Sequence, residues 1–481
     1  MTRSLDLLFE DVEVDGRPGR RVGVSEGRVV FVGGEPGDGA ERSWGSGGAE
    51  RVSGGGGALL PGLHDHHLHL MAMAAQAASV ACGPPEVRDR VGLAERLRAA
   101  AAVAPPGRWV RGTGYDDSVA GPLDAYGLDE LLGPHREVPV RVQHRSGHLW
   151  VLNGSGVEEV QRTGGLGTGT HGPGVYLDLD GELRSCWASG PEGDGLEAGL
   201  ESGLAAAGRR LARLGITGVT DATVANGHSE LSAFEAARRA GALPQGLHLL
   251  GGHLPEEGGT CVSLGARKIV LAEHALPGLD ELAAEMAGAG RRGVAVHCAS
   301  REALVLAAAA LRMAPGVRAR VEHAAVAPPE VVELLSGRVE AVVTQPGFVL
   351  EHGDRYRREV DPVDLPWLYR LRAWQLAGVG LAGSSDAPFG ELDPWSAMRA
   401  ATERRTAAGF RLGPEERLGP EAARDLYLGP LEDPGGPARR VEPGAPADLC
   451  LLSVPWRTAR ADLSGANVRS TYVGGLRVAG E

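Results

Sequence analysis

The sequence of 481 residues has almost no lysine, because Lys268 is the only lysine among its 49 basic residues. Aromatic residues make up only 4% of the chain, and its five cysteines form no Cys-x-x-Cys pair. The formal net charge is −13 and no segment is a basic block, which argues against nucleic acid or an anionic membrane as a partner. An odd number of widely spaced cysteines fits a reducing cytoplasm better than a disulfide-bonded fold.

Long hydrophobic runs are also missing. No window reaches about 18 consecutive apolar residues, so we expect no membrane-spanning helix. The first dozen residues, MTRSLDLLFEDV, carry acidic side chains and no long apolar run. We therefore expect no signal peptide and a cytoplasmic protein.

Short apolar runs alternate with Ala-, Leu- and Arg-rich helical stretches through the middle of the chain. The runs are ALLPGLHDHHLHL, GITGVTDAT, QGLHLLGG, RKIVLAEH, GVAVHCAS, RVEHAA, EAVVTQP and VGLAGSSDAP. Eight strand–helix units are typical of a (β/α)8 barrel, in which the active site lies at the C-terminal ends of the strands. The sequence therefore predicts an α/β protein whose centre is a distorted TIM barrel over residues 61–437.

Strand-like segments also occur at both ends of the chain. Residues 1–60 and 438–481 are predicted to form one small β-sandwich domain together. The interval after the first barrel strand is too long for a single connection and contains a strand signal of its own, VPVRVQHRSGHLWVLN. We predict an inserted α+β subdomain at about residues 75–200.

Polar side chains stand at the ends of the predicted strands. The first run contains two interleaved His-x-His pairs, and only one pair can face the barrel axis because side chains alternate along a strand. The position at the C-terminal end favours His67 and His69, which leaves His64 and His66 as packed or hydrogen-bonded imidazoles. Together with four residues of later runs they form a candidate site for a zinc-like metal: Lys268, His297, His323 and Asp386.

The single lysine has a chemical interpretation. Arginine stays protonated, whereas a desolvated lysine can lose its proton and react. A neutral lysine amine can add CO₂ to give a carbamate, whose anionic oxygens can bridge two metal ions. The alternative is an ordinary buried lysine retained by chance.

These residues lie in motifs that resemble the amidohydrolase superfamily of metal-dependent hydrolases. PGLHDHHLH matches the Pro-Gly-x-x-Asp-x-His-x-His signature, and GITGVTDA, VAVHC, RVEHA, GSSDAP and the C-terminal VEPGAPADLCLL resemble later elements of the family. WVRGTGYDDS and SGHLWVLN are similar to the amidohydrolase 3 branch, which contains N-substituted formamide deformylase.

The resemblance implies a set of roles. His67 and His69 would bind the more buried metal, and His297 and His323 the more exposed one. Carboxylated Lys268 would bridge the two, and Asp386 would contact the buried metal and the attacking water. The expected cofactors are one or two divalent ions, Zn²⁺ or else Mn²⁺ or Fe²⁺, with CO₂ as the lysine carbamate. The short segment after Lys268, KIVLAEHALPGLDEL, departs from the longer loop of that branch and leaves the number of metals open.

The predicted reaction is hydrolysis of a C–N bond in an amide, formamide or cyclic amide by metal-activated hydroxide, with Asp386 as general base and then general acid. His148 is a predicted donor to the oxyanion or the substrate. Tyr115 and Asp116 are predicted to line the pocket. We expect a small-molecule substrate and a homodimer.

Three alternatives remain open from the sequence. A mononuclear deaminase-type enzyme would bind one metal per chain and use Lys268 differently. A lactonase or esterase would apply the same groups to a C–O bond, and substrate screening separates it from an amidase. A catalytically inactive barrel acting as a binding module is the third, although such a module would have no reason to retain every ligand.

Overall fold

The computed structural model describes residues 3–480 apart from positions 35–43, 46–47, 78, 85, 165, 178, 180–181, 184–185, 187–192 and 257–258. By contact, the chain divides into two compact units, one formed by Met1–His69 with Gly208–Glu481 and the other by Leu70–Ala207. Within the described ranges, no helix combines the length and the apolar character that crossing a bilayer requires.

The first unit is built around the predicted parallel barrel of eight strands, which confirms the fold class. The strands β1 to β8 are Leu63–Leu68, Ile216–Asp221, Gly246–Gly251, Ser263–Val270, Val294–Cys298, Ala319–His323, Ala341–Thr344 and Gly380–Gly383. Each strand pairs with the next in parallel. The sheet closes beyond β8, where the Asp386 amide donates to the His67 carbonyl and the His69 amide to the Ala387 carbonyl, both at 2.8 Å.

Helices follow most barrel strands and cover them with apolar side chains. On β5, Val294 and Val296 point outward and share a buried cluster with Leu304 and Leu311 of the next helix. The intervening residues of β5 therefore face the barrel interior. The helices of this unit, including one that begins before residue 208, are Gly193–Arg213, His228–Arg239, Leu279–Ala287, Arg301–Met313, Pro329–Leu335, Gly347–Glu359, Arg372–Leu376, Pro394–Glu403, Pro420–Asp425 and Trp456–Asp462.

Both ends of the chain form two four-stranded sheets in the same unit. One sheet contains Leu7–Val14, Arg17–Ser25, Arg28–Gly33 and Glu50–Ser53, and the other Leu59–Pro61, Leu449–Leu452, Val468–Val473 and Leu476–Gly480. Their facing side chains share one buried core, in which the Phe9 and Tyr472 rings meet edge to face at 5.0 Å. A β-sandwich is thus assembled from the two termini.

The second unit is an α+β structure with a five-stranded sheet. The sheet order is Val175–Leu177, Leu149–Leu152, Val140–His144, Val110–Tyr115 and Val80–Ala81. The helices of this unit are Leu70–Ala77, Arg90–Val103, Asp117–Ala120, Ala125–Leu132 and Gly154–Gly164. Leu93 and Leu97 of the long helix are fully buried with Val140 and Val142 of the sheet, so the unit has a hydrophobic core of its own.

Candidate metal and catalytic centre

Three predicted ligands meet at the C-terminal end of the barrel. One donor atom from each of His67, His69 and Asp386 lies within 4.8 Å of the others. The nearest Asp386 oxygen is 3.4 Å from His67 Nε2 and 3.1 Å from His69 Nε2. Two imidazoles and a carboxylate are the nitrogen and oxygen donors that zinc and similar ions prefer.

A buried carboxylate holds one of these imidazoles in a single orientation. Glu322 is fully buried, and its Oε2 accepts a hydrogen bond from His67 Nδ1 at 2.5 Å. Arg320 donates to the same carboxylate and to the His66 carbonyl. Burial raises the pKa of Glu322, but the positive charges of Arg320 and Lys268 outweigh burial. They hold the pKa of this carboxyl well below its usual range. The charged carboxylate therefore keeps the proton on Nδ1 and leaves Nε2 free to bind a metal.

The end of β6 brings two consecutive residues to the same place. Neighbouring side chains on a strand normally point to opposite faces. His323 has a φ of 68°, in the left-handed region, and this turn brings both Glu322 and His323 to the centre. The His323 ring lies 4.8 Å from the His67 ring and 4.3 Å from that of His297. His323 Nδ1 is bonded to Gln345 Oε1 at 2.9 Å, so Nε2 is again the remaining nitrogen.

Burial fixes the protonation state of these imidazoles. It lowers the pKa of His67 to about 3, with the nearby Lys268 charge acting in the same direction. Burial also lowers the pKa values of His297 and His323. All three rings are neutral at neutral pH, and neutral imidazole is the form that binds a metal.

Lys268 lies inside the barrel on β4, as the sequence predicts for a residue with a chemical role. Its side chain is 3% exposed, and burial lowers the pKa of its ammonium group. The positive charge of Lys268 contributes, after burial, to the lowered pKa values of both His67 and His297. Among the residues that the structure describes, no hydrogen-bond acceptor contacts Nζ.

The Asp386 segment is held in a strained conformation. Asp386 has a φ of 58°, which a non-glycine residue adopts only when its surroundings require it. Burial raises the pKa of this carboxyl, but the hydrogen bond with His69 and the neighbouring imidazoles outweigh burial and lower it below its usual range. Asp386 is therefore an ionised carboxylate. Thr223 Oγ1 lies 2.9 Å from the other nitrogen of His69 and fixes that ring.

The second His-x-His pair stays away from the three-ligand group. His64 is buried, and its Nδ1 is 2.9 Å from the Gly429 carbonyl oxygen, so it is the hydrogen-bonded imidazole that the sequence predicts. His66 is fully buried, and within the described part of the chain neither of its nitrogens has a hydrogen-bond partner. His66 is thus packed and not hydrogen-bonded among these residues, which is the other arrangement that the sequence analysis allows for this pair.

Three further predicted site residues belong to the Leu70–Ala207 unit. Tyr115 is buried there, and its hydroxyl donates to the Gly121 carbonyl. Asp116 accepts from the Ser118 amide as a helix N-cap and pairs with Arg145 at 2.6 Å. His148 is exposed on the turn before Leu149–Leu152. These contacts give Tyr115 and Asp116 structural roles, and substrate binding by the three residues stays a prediction.

The centre fits a divalent metal. Within the described ranges, the buried atoms His323 Nε2 and Lys268 Nζ have no hydrogen-bond partner. A buried polar atom without a partner costs about 1–3 kcal/mol, so each of them needs an explanation, and a bound metal is one. They stand beside the His67, His69 and Asp386 donors, which are already mutually close.

Four residues of this centre were not proposed as site residues from the sequence: Thr223, Arg320, Glu322 and Gln345. Glu322 directly precedes His323, and alternation along a strand would place the two side chains on opposite faces. Gln345 directly follows β7, and nothing in the sequence signals its contact with His323. Their roles come from contacts between strands that are distant in the sequence.

Comparison with known proteins supports the same assignment. The model of the amidohydrolase family matches residues 52–479. N-substituted formamide deformylase of Arthrobacter pascens is 26% identical, with 99% of this chain and 98% of that protein covered. Two structures of uncharacterized metal-dependent hydrolases have the same fold. That of Pyrococcus horikoshii OT3 has a TM-score of 0.71 at 18% identity, covering 96% of this chain and 98% of that one. The structure from Pyrococcus furiosus has a TM-score of 0.68 at 20% identity, and the match covers 93% of this chain and 98% of that one.

The predicted resemblance is confirmed over almost the whole length of the chain. A match of this extent, together with the barrel and its ligand set, shows that the chain belongs to the amidohydrolase family and is a metal-dependent hydrolase acting on carbon–nitrogen bonds.

Proposed function

We propose that this enzyme hydrolyses the C–N bond of a small amide, formamide or cyclic amide, with Asp386 as the proton carrier. The observation that carries the proposal is the group of His67, His69 and Asp386, whose donor atoms lie within 4.8 Å of one another at the strand ends of a family barrel. The 26% identical relative is a formamide deformylase by name, which supports an acyl or formyl nitrogen as the bond that is cleaved.

The proposed cofactor is one or two divalent ions, zinc in the first place. His67, His69 and Asp386 would hold the first ion, and His297 and His323 a second. A bound ion would supply Lewis-acid chemistry, making water more acidic and polarising the scissile carbonyl.

The chain's own groups carry the proton. Ionised Asp386 accepts a proton from the attacking water while the water oxygen bonds to the carbonyl carbon. The same carboxyl group then delivers that proton to the leaving nitrogen as the C–N bond breaks, so one carboxylate serves both steps. Thr223 Oγ1 holds the other nitrogen of the His69 ring, which keeps Nε2 directed at the Asp386 carboxylate. The Glu322–His67 contact does the same for the neighbouring ligand.

We propose further that Lys268 is a carbamate in the active enzyme. Its neutral amine would add CO₂ and release a proton, which places two anionic oxygens inside the barrel. The burial of the amine, its lowered pKa and the absence of a partner among the described residues support this assignment. Arginine would remain charged at this position and could not react in this way.

The cellular location, the substrate class and the oligomeric state complete the proposal. The buried free cysteines, among them Cys82 and Cys298, are consistent with a reducing cytoplasmic location. We also propose a small-molecule substrate and a homodimer, which is the commonest oligomer of soluble enzymes. His148 stays a proposed donor to the substrate.

A substrate panel tests the function directly. Protein loaded with zinc, manganese or iron is assayed on N-formyl, N-acyl and cyclic amides, with release of acid and amine as the readout. Hydrolysis of at least one class, lost on chelation and restored by metal, is the expected result. Metal-loaded protein that cleaves none of them but opens lactones, or releases ammonia from ring amines, would refute the amide assignment.

A further inference from the structure

A tyrosine from the connection between β7 and β8 lies beside the centre. Tyr369 is 5% exposed, and its backbone amide donates to the Ala325 carbonyl at 2.8 Å, two residues beyond His323. Its ring lies 5.6 Å from that of Phe348. Phe348 packs so closely against Gly390 that a Cβ at Gly390 would clash with it. The Gly390 amide in turn donates to the Asp386 carbonyl at 3.3 Å.

The backbone of Tyr369 is strained. Its φ is 43°, in the left-handed region that large side chains rarely adopt. His323, Ala324 and Asp386 share this property. A left-handed conformation at a non-glycine residue costs of order 1 kcal/mol or more, so it persists only where the surrounding structure imposes it. Four such residues beside one group of ligands therefore indicate a functional site.

A buried arginine imposes that conformation. Arg404 is fully buried and donates to the Tyr369 and Leu368 carbonyls, each at 2.8 Å, and to the Leu412 carbonyl at 2.9 Å. It thereby fixes the backbone from which the phenol projects. Preorganised donors of this kind are worth most where charge develops during a reaction.

Among the described residues, the phenol makes one long hydrogen-bond contact, in which either hydroxyl can be the donor. The contact is with the Tyr356 hydroxyl at 3.4 Å, well beyond the usual O–H···O distance of about 2.7–2.8 Å, so it holds the phenol proton weakly. Burial, the Tyr356 phenol and the charge of Asp386 raise the pKa of Tyr369 well above its ordinary value. The group therefore keeps its proton at every pH at which the enzyme is expected to work, and it can donate.

We propose that Tyr369 is a catalytic residue that donates its phenol hydrogen bond to the carbonyl oxygen of the substrate and stabilises the negative charge that forms there. The inference rests on the proposed hydrolysis at this centre. Tyr356 is the positioning residue that stacks beside it, with ring centroids 5.9 Å apart.

The test compares the zinc-loaded full-length protein with Tyr369→Phe, using acetohydroxamate as a probe that offers a carbonyl oxygen to the same donor. We expect the variant to retain its zinc content and its melting temperature, and to bind the probe about tenfold more weakly in calorimetric titration. For any amide that the wild type hydrolyses, kcat should fall about 10²–10³-fold with little change in KM.

Tyr472→Phe is the matched control, since it removes the hydroxyl of another fully buried tyrosine in the sandwich core. It should leave the probe affinity unchanged. Tyr356→Phe should give a smaller loss than Tyr369→Phe.

The outcomes separate this inference from the proposed function. If the wild type hydrolyses an amide and the Tyr369→Phe variant has the same kcat and probe affinity, the role of Tyr369 is overturned and the proposed function stands. Weaker probe binding in the variant, in a protein that hydrolyses no amide, supports the donor and refutes the proposed reaction. Loss of zinc or of the folded state in Tyr369→Phe would assign the residue a structural role and also overturn the inference.

Discussion

The strand ends of the barrel and the Leu70–Ala207 unit both contain predicted site residues, and these residues differ in how their polar atoms are satisfied. At the strand ends, Lys268 Nζ and His323 Nε2 are buried and, within the described part of the chain, without a hydrogen-bond partner. In the other unit, Asp116 caps a helix and pairs with Arg145, and Tyr115 bonds to a carbonyl. Buried polar groups without a protein partner need an explanation, and beside the His67, His69 and Asp386 donors a bound ligand supplies one, whereas satisfied groups are explained by the fold.

The largest effect is expected at Lys268. Lys268→Ala should abolish activity and lower the bound metal, because it removes the proposed bridging ligand. The loss of activity should exceed the loss of up to about 100-fold that typically follows mutation of a residue that only orients a metal ligand. Kinetics and metal analysis measure both effects, and short carboxylic acids should restore some turnover if a carbamate is the missing group.

Lys268→Arg is the control, since it keeps a positive charge but cannot form a carbamate. It should be as inactive as Lys268→Ala. Full metal occupancy and activity in either variant would contradict the role of the lysine.

The next effect concerns the carboxylate behind His67. Glu322→Gln should weaken metal binding about 10–100-fold, because the amide cannot hold the His67 ring as the buried carboxylate does. Competition with a chelator of known affinity measures the change. Glu340→Gln is the matched control, because Glu340 pairs with Arg318 at the surface and such pairs contribute little. Equal affinities in the two variants would show that Glu322 does not orient the ligand.

A smaller effect of another kind is expected in the Leu70–Ala207 unit. Asp116→Ala removes a helix cap and an ion pair, so the free energy of unfolding should fall by about 1 kcal/mol with kcat/KM unchanged. Urea denaturation and steady-state kinetics provide the two readouts. A variant of normal stability with a reduced kcat/KM would instead support the predicted contact of Asp116 with substrate.

The effect that is smallest at neutral pH is a pH dependence of stability that comes from His248 on β3. Burial lowers its pKa to about 3, while the unfolded chain titrates near 6.5. Below pH 6.5 the unfolded state binds one more proton than the folded state, so this histidine makes the protein less stable as the pH falls towards 3. The slope from one such group is at most about 1.4 kcal/mol per pH unit.

His248→Asn should flatten the acid side of a curve of unfolding free energy against pH, measured on the metal-free protein. An identical slope in the variant and the wild type would show that His248 is not a buried neutral group. This comparison concerns the fold alone and leaves the ligand group untouched.

Much of the barrel and part of its centre could be predicted from the sequence. Strand ends converge in a parallel barrel, so His67, His69, His297, His323 and Asp386 could be placed together before any coordinates. On β1 the alternation rule chose the pair that lies beside Asp386. It does not account for Glu322, because the left-handed conformation at His323 interrupts the alternation and no glycine marks that position.

Two further groups that were not found, Tyr369 and Arg404, depend on connections and not on strands. Tyr369 lies in the irregular segment before the helix Arg372–Leu376, and the buried Arg404 that holds it lies more than thirty residues further along. Neither has a periodic pattern or a motif around it. Contacts of this kind come from the packing of distant segments, which local propensity does not encode.

The central claim is that His67, His69 and Asp386 hold a divalent metal. Anomalous X-ray diffraction at the zinc edge, on crystals of the zinc-loaded protein, tests it most directly. The account predicts a strong peak at about 2.0–2.2 Å from a ring nitrogen of each histidine and an oxygen of the carboxylate. Zinc-loaded crystals with no anomalous peak among these three residues, or with a peak only elsewhere, would contradict it.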